Sequence, residues 1–308
     1  MLNQKVNSPI QQLNESLFDA HHVNVYLKRD DLIHPKISGN KWRKLKHNII
    51  DAKSRNRSLL ISFGGAYSNH IHALAHAGKE FGFKTLGIIR GEYDPSNPTL
   101  QYAQSCGMQL KFVSRLEYKQ RHNAEYLINL EASYPNSVVI PEGGTNELAL
   151  LGFNDLINEI PREKSDYLIC PCGSGGTSAG LLKNCDDTQI VISIPVLKKA
   201  QYLYNEIIQL TGKNTNNLQF FDQYHQGGYG KINPPLLDFI QAFYQQHGIL
   251  LEPIYSGKMM MAFYDLLEKG HFKRGSSITL LHTGGIQGID GMKQRGLVPT
   301  DWPIKLIP

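Results

Sequence analysis

Tyr167-Leu168-Ile169-Cys170-Pro171-Cys172-Gly173-Ser174-Gly175-Gly176-Thr177-Ser178-Ala179-Gly180 is a short apolar run that stops at a glycine-rich turn and restarts with helix-compatible residues. An apolar run of this length, closed by turn residues, reads as a buried strand, and strand–turn–helix is the repeating unit of a parallel α/β sheet. Successive glycines expose backbone N–H groups. A helix beginning near Thr177 aims its dipole at the same point, so the turn has the makings of a phosphate cradle. A plain structural turn is the alternative. No Gly-Lys-Ser/Thr follows, so the segment is not a P-loop, and Ser178 stands where the third glycine of the dinucleotide fingerprint belongs.

The same alternation extends in both directions. Residues 58–63 predict a strand ended by Gly64-Gly65, and residues 69–81 a helix with Ile71, Leu74, Ala75 and Gly78 at helical spacing. Strands follow at 85–89, 109–113 and 138–140, the last before Gly143-Gly144, with a helix at 99–105. Further strands fall at 190–194 and 277–281. This pattern implies mainly parallel sheets covered on both faces. The stretch 213–228, rich in Asn, Gln and Gly, predicts an exposed loop. A length of 308 residues suits about two domains.

Composition narrows the class of partner. Lys+Arg 32 against Asp+Glu 27 leaves +5, which favours small anions and is too little for nucleic acid without a concentrated patch. The four cysteines, Cys106, Cys170, Cys172 and Cys185, show no zinc-type spacing and fit reduced thiols. No secretory signal and no membrane-spanning run stands out, so a soluble, cytoplasmic protein is expected.

In α/β sheets ligands bind beyond the carboxyl ends of strands, which directs attention to the turns. In Ser38-Gly39-Asn40-Lys41-Trp42-Arg43-Lys44-Leu45, Asn40 is a candidate N-cap, with Trp42, Leu45 and Ile49 on one helical face. Lys41 then lies in the first turn, where the helix dipole eases loss of its proton, as a Schiff-base lysine needs. A solvated basic face of Lys41, Arg43, Lys44 and Lys46 is the competing reading. In Gly64-Gly65-Ala66-Tyr67-Ser68-Asn69-His70, two glycines permit close backbone approach, and Ser68 and Asn69 offer polar groups at a helix start; simple capping is the alternative. His72 and His76 lack the Glu of a metalloprotease helix and read as ordinary helix residues, so no metal is expected. Glu252-Pro253-Ile254-Tyr255-Ser256-Gly257-Lys258, Gly228-Tyr229-Gly230 and Leu281-His282-Thr283-Gly284-Gly285 carry no assignment by themselves.

Taken in order, these segments resemble the pyridoxal-phosphate enzymes of the tryptophan synthase β fold (fold type II). Within it they are most similar to the 1-aminocyclopropane-1-carboxylate (ACC) deaminase and D-cysteine desulfhydrase family. The resemblance runs from Ser8-Pro9-Ile10 through Lys28-Arg29-Asp30-Asp31-Leu32 and the Lys41 segment to His282-Thr283-Gly284-Gly285. It implies two three-layer α/β/α domains: a large one of residues 1–49 plus 161–308 and a small inserted one of 50–160. A homodimer is implied too. Lys41 would carry pyridoxal 5'-phosphate as a Schiff base. Gly173, Ser174, Gly175, Gly176 and Thr177 would hold the phosphate, and Asn69 the ring oxygen. Ser68, Asn69 and His70 would meet the substrate, with Ser68 at its carboxylate or reacting carbon. Tyr229 and Tyr255 match active-site tyrosines, Ser256 falls at the pyridine nitrogen, and Thr283 closes the cofactor set.

Two departures bear on the reaction. ACC deaminases carry Glu where this chain has Ser256, and Leu where it has Thr283. A carboxylate keeps the pyridine nitrogen protonated and deepens the electron sink, as opening a cyclopropane demands. A hydroxyl leaves the nitrogen largely neutral, which suffices when a leaving group takes up the electrons. The resemblance therefore implies β-elimination from a small amino acid, D-cysteine foremost, by a lyase or hydrolase that releases a keto acid and ammonia. ACC deaminase is the alternative. A nucleotide-binding oxidoreductase built on the glycine loop and a non-catalytic binder are the remaining readings.

Overall fold

A computed structural model describes residues 6–212 and 216–303. Its ten strands are β1 (Ile10–Leu13), β2 (Asn24–Lys28), β3 (Leu59–Gly65), β4 (Lys84–Arg90), β5 (Gln109–Val113), β6 (Ser137–Ile140), β7 (Tyr167–Cys172), β8 (Ile190–Pro195), β9 (Leu218–Phe220) and β10 (Ser277–Leu281). They form two sheets. The larger has the order β1-β2-β10-β7-β8-β9 and the smaller β5-β4-β3-β6. Every pairing is parallel except β1 with β2.

Strands covered on both faces read as unbroken apolar runs, and β7 is buried at all six positions. Its side chains still alternate. Tyr167 and Ile169 enter one core with Ile192, Ile194, Ile278, Leu280, Met259 and Phe263, while Leu168, Cys170 and Cys172 enter another with Phe153, Leu181 and Val191. The smaller sheet divides likewise, Leu60 and Ile89 on one side and Ile61, Phe63, Leu86 and Ile88 on the other. Each such side chain contributes roughly 1.5–3 kcal/mol on burial.

Three strands escaped the sequence reading. β1 and β2 are short, and β9 lies inside the stretch expected to be a loop. That expectation is corrected: Leu218 is buried and Val191 and Ser193 of β8 pair with β9, so an edge strand is stabilised by its neighbour despite polar flanks. Residues 213–215 of the same stretch lie outside the described residues.

The helix Asn40–Ser54 carries Lys41 and begins against the end of β10. Its N-cap is Gly39 at φ 63°, not Asn40 as expected. A Cβ on Gly39 would stand 1.8 Å from the Thr283 carbonyl, so only glycine lets the helix start there. Freed from capping, the Asn40 side-chain amide donates to Thr177 Oγ1 at 2.8 Å and ties the helix to the glycine loop. Arg43 locks the other side. Its guanidinium donates to Asp30 at 2.8 and 3.2 Å and to Glu159 at 2.7 and 2.8 Å, while Lys28 donates to Glu159 at 2.7 Å and Ser8 to Asp30 at 2.6 Å. The segments Ser8-Pro9-Ile10 and Lys28-Arg29-Asp30 thus hold the lysine helix against the larger sheet. The position between residues 49 and 50 lies inside this helix.

Candidate active site

Lys41 reaches the turn after β6, its Nζ 3.5 Å from the Gly143 carbonyl. Burial pushes its pKa down from 10.5 to about 8, against the opposing charge of Glu142. Lys44, three residues on, shares that carbonyl at 3.4 Å and lies 3.3 Å from Thr145 Oγ1 and 3.4 Å from Ser174 Oγ. Burial first, then the Lys41 charge, pushes Lys44 well below the usual lysine range. The solvated basic face is thereby excluded as a description of this helix: Arg43 and Lys44 are each 2% exposed. Among the described residues, neither Lys41 nor Lys44 has a carboxylate in ion-pair contact.

The loop 173–177 faces these two amines. The helix Gly176–Asn184 starts here, with Gly175 in the left-handed region as its N-cap. A Cβ on Gly176 would stand 2.5 Å from Thr145 Oγ1 and 2.8 Å from Lys44 Nζ. Ser174 Oγ bonds Thr145 Oγ1 at 2.7 Å, and Gly173 packs against the Tyr255 ring. Free first-turn N–H groups, three hydroxyls and a buried lysine amine without a carboxylate, which a neighbouring anion would keep protonated, make a donor set for a phosphate dianion. Lys44 was not singled out for this, because sequence spacing does not reveal that its side chain points to a loop more than 120 residues away.

Ser68 caps the helix Asn69–Phe81, its Oγ accepting from Ile71 N at 3.3 Å. Asn69 does no capping. Its Oδ1 accepts from Gln287 at 3.2 Å, and its Nδ2 lies 3.0 Å from the Cβ position of Gly285, so it spans from the smaller sheet to the turn after β10. The His70 side chain, 2% exposed, lies beneath the loop rather than in the open cleft. Ser62 Oγ donates to the Ile140 carbonyl at 2.7 Å, so the 2.9 Å contact with His70 must use the Nε2–H of the imidazole. That leaves Nδ1 a bare acceptor without a partner, buried beside Gly144. Burial and the Lys41 and Lys44 charges hold His70 neutral.

Tyr255 and Tyr229 meet with hydroxyls 3.4 Å apart. The Tyr229 loop is held by the buried Lys258, which donates to the carbonyls of His225 at 3.0 Å and Gly228 at 2.8 Å. Ser256 is fully buried, and its Oγ accepts from the Glu252 N–H at 2.9 Å and donates to Glu252 Oε1 at 3.1 Å. Glu252 was missed by sequence reasoning, yet its carboxylate lies beside Gly285 and takes the N–H groups of Ile254, Tyr255 and Ser256. Thr283 is buried at the end of β10, its carbonyl accepting from Asn40 N at 3.3 Å. His76 sits elsewhere, with His34 and Glu80. His34 Nδ1 accepts the N–H groups of Lys36 and Ile37, so its Nε2 carries the proton and is no metal ligand in this arrangement.

The paired buried amines, the glycine loop and Asn69 therefore converge between the two sheets. Residues 3–284 match the family described as pyridoxal-phosphate dependent enzyme. The chain belongs to that family. Among pyridoxal-phosphate dependent enzymes, a putative 1-aminocyclopropane-1-carboxylate deaminase of Pyrococcus horikoshii is 30% identical over 295 residues, covering 91% of this chain and 90% of that protein. A D-cysteine desulfhydrase of Serratia proteamaculans is 28% identical over 302 residues, covering 90% and 91%. The crystal structure of an ACC deaminase homologue superposes with TM-score 0.79 at 29% identity, covering 97% of this chain and 95% of that one. An L-serine ammonia-lyase of Rhizomucor miehei, TM-score 0.66 at 14% identity, shares the fold. The cofactor of this family is pyridoxal phosphate, and the donor set around Lys41 and Lys44 fits it. No helix among the described residues is long and apolar enough to cross a membrane.

Proposed function

We propose that this pyridoxal-phosphate enzyme catalyses β-elimination from a small amino acid, with D-cysteine as the first substrate to assay, giving a keto acid, ammonia and sulfide. The observation that carries the assignment is the buried Lys41 amine, lowered to about 8, set opposite a glycine loop backed by a second buried lysine. When bound, the cofactor supplies the electron sink that makes the α-C–H bond of an amino acid acidic.

The chain's own residues do the rest. Lys41 would hold the cofactor aldehyde, and its amine, when free, would take the α-proton. Gly173, Ser174, Gly175, Gly176 and Thr177, with Lys44, hold the phosphate. Asn69 would orient the ring by a hydrogen bond to its oxygen. Ser68 and the first-turn N–H groups of Asn69 and His70 take the substrate carboxylate, an anion at a helix start; the His70 imidazole supports the loop from below. Tyr229 and Tyr255 line the side where the leaving group departs. Ser256 would meet the pyridine nitrogen through its hydroxyl, whose proton points to Glu252 Oε1 here and would turn toward that nitrogen. The nearby Glu252 carboxylate is already occupied by three N–H groups and that hydroxyl, so it caps the helix Ser256–Glu268. Thr283 completes the cofactor site.

The side chain at 256 supports elimination over the alternative, ACC ring opening, for which a carboxylate partner is expected. Lyase describes such a reaction better than hydrolase. We also assign the protein to the cytoplasm as a homodimer, with domains of 1–49 plus 161–308 and 50–160. Keto-acid release from D-cysteine and from ACC tests the reading. Turnover of D-cysteine should fall at least about a hundredfold in Lys41→Ala, and Ser256→Glu should shift the ratio toward ACC. Wild-type turnover by Lys41→Ala sinks the assignment.

A further inference from the structure

The smaller sheet is wholly parallel, so the carboxyl ends of its four strands lie on one side, where such sheets bind ligands. β3 leads into Ser68 there and β6 into Glu142 and Gly143. β4 ends at Arg90, and β5 leads to Arg115, Lys119 and Arg121. Arg90, Arg115, Tyr118, Lys119 and Arg121 line an open cavity of about 520 Å³.

Tyr118 organises this cavity. Its ring centroid lies 4.7 Å from the Arg121 guanidinium and 5.6 Å from that of Arg90, and its hydroxyl donates to Glu142 Oε1 at 2.6 Å. Glu142 also accepts from Arg121 Nε at 2.6 Å. Of the four cations lining the cavity, Arg121 is the one paired with a carboxylate among the described residues. Arg90, Arg115 and Lys119 have no ion-pair partner among the described residues. The cavity adjoins the Lys41 cleft at two points. Arg90 Nη2 lies 3.8 Å from the Cβ position of Gly65, three residues before Ser68, and Glu142 precedes the Gly143 carbonyl that faces both lysine amines. The charge of Arg90 reaches Tyr229 as well.

We propose that this cavity is a subsite for a second negative charge, borne as a carboxylate on the substrate's side chain. The proposal rests on the assignment of Lys41 as the cofactor lysine, which anchors the substrate's α-carbon next door. A guanidinium held against an aromatic face is pre-oriented, and its fork matches a carboxylate. Arg90, Arg115 and Lys119 are exposed and Arg121 half-buried, so solvent and salt screen them and the preference is about tenfold rather than thousandfold.

Isosteric pairs isolate the charge. Binding of aspartate and asparagine, and of glutamate and glutamine, in both enantiomers, is measured by calorimetry on the holoenzyme, with competition against D-cysteine turnover in parallel. The acids should bind about tenfold more tightly than their amides at low salt, the ratio shrinking as salt rises. Arg90→Gln should bring the ratio close to one and Arg90→Lys should keep part of it, with melting temperature and cofactor absorbance reporting that both variants fold. Equal affinity for acid and amide in the wild type overturns the proposal, as does an unchanged ratio in Arg90→Gln. A ratio near ten without cofactor on Lys41 would leave the anion subsite standing and overturn the Lys41 assignment instead, so the two failures are distinguishable.

Discussion

Burial of Lys41 sets how readily it would capture an aldehyde under the proposed assignment. An ordinary lysine of pKa 10.5 is about 0.03% free amine at pH 7, whereas one near 8 is about 10% free amine. The fold therefore raises the nucleophilic fraction roughly 300-fold, which corresponds to ~3 kcal/mol. In the cofactor-free protein, capture of pyridoxal phosphate, trapped by borohydride and located by mass spectrometry, should climb about tenfold per pH unit and level off near pH 8. Glu142 is the charge that opposes the lowering, so Glu142→Gln should move the inflection to lower pH and quicken capture at pH 7. The same displacement has a stability signature. The folded pKa lies below the unfolded one, so between about pH 8 and 10.5 the unfolded chain binds the extra proton, and stability rises with pH across that window. Below pH 8 the full cost of the buried charge is present. An inflection near 10.5, or an adduct on Lys44, refutes the account.

Two further substitutions separate holding the cofactor from holding the fold. Lys44→Met replaces a buried amine, held well below the usual lysine range, by an apolar chain of similar size; the cofactor-free protein should unfold in urea at least as late as the wild type while cofactor affinity, followed by fluorescence, falls at least about tenfold. Asp30→Ala removes one of the two carboxylates around the Arg43 guanidinium, which is 2% exposed, and should cost about 3–5 kcal/mol by the same unfolding measurement. A cost under 1 kcal/mol would mean that the Ser8–Asp30–Arg43–Glu159 network does not fix the lysine helix.

The regular elements were legible because their signals are local. The strand Tyr167–Cys172, the helix Asn69–Phe81 and the glycine turns between them follow from apolar runs and breakers a few residues apart. β9 was not legible, since three residues with polar flanks form a strand only when β8 supplies the hydrogen-bond partners. Asn40 misled for a related reason: its chemistry suits a cap, but a close carbonyl at Thr283 gives that place to Gly39 and turns the amide toward Thr177.

The sequence by itself determined the α/β class and the order of the turns, and it singled out Lys41 as the lysine proposed to meet an aldehyde, because periodicity and motif order survive without coordinates. Only the tertiary structure decided that Lys44 backs the glycine loop, that the His70 imidazole lies beneath it, that Glu252 engages Ser256, and that four cations gather around Tyr118. Those outcomes depend on side chains from distant segments meeting in a low-dielectric cleft. There, desolvation and unpaired charge set the chemistry, and neither is written in any one stretch of chain.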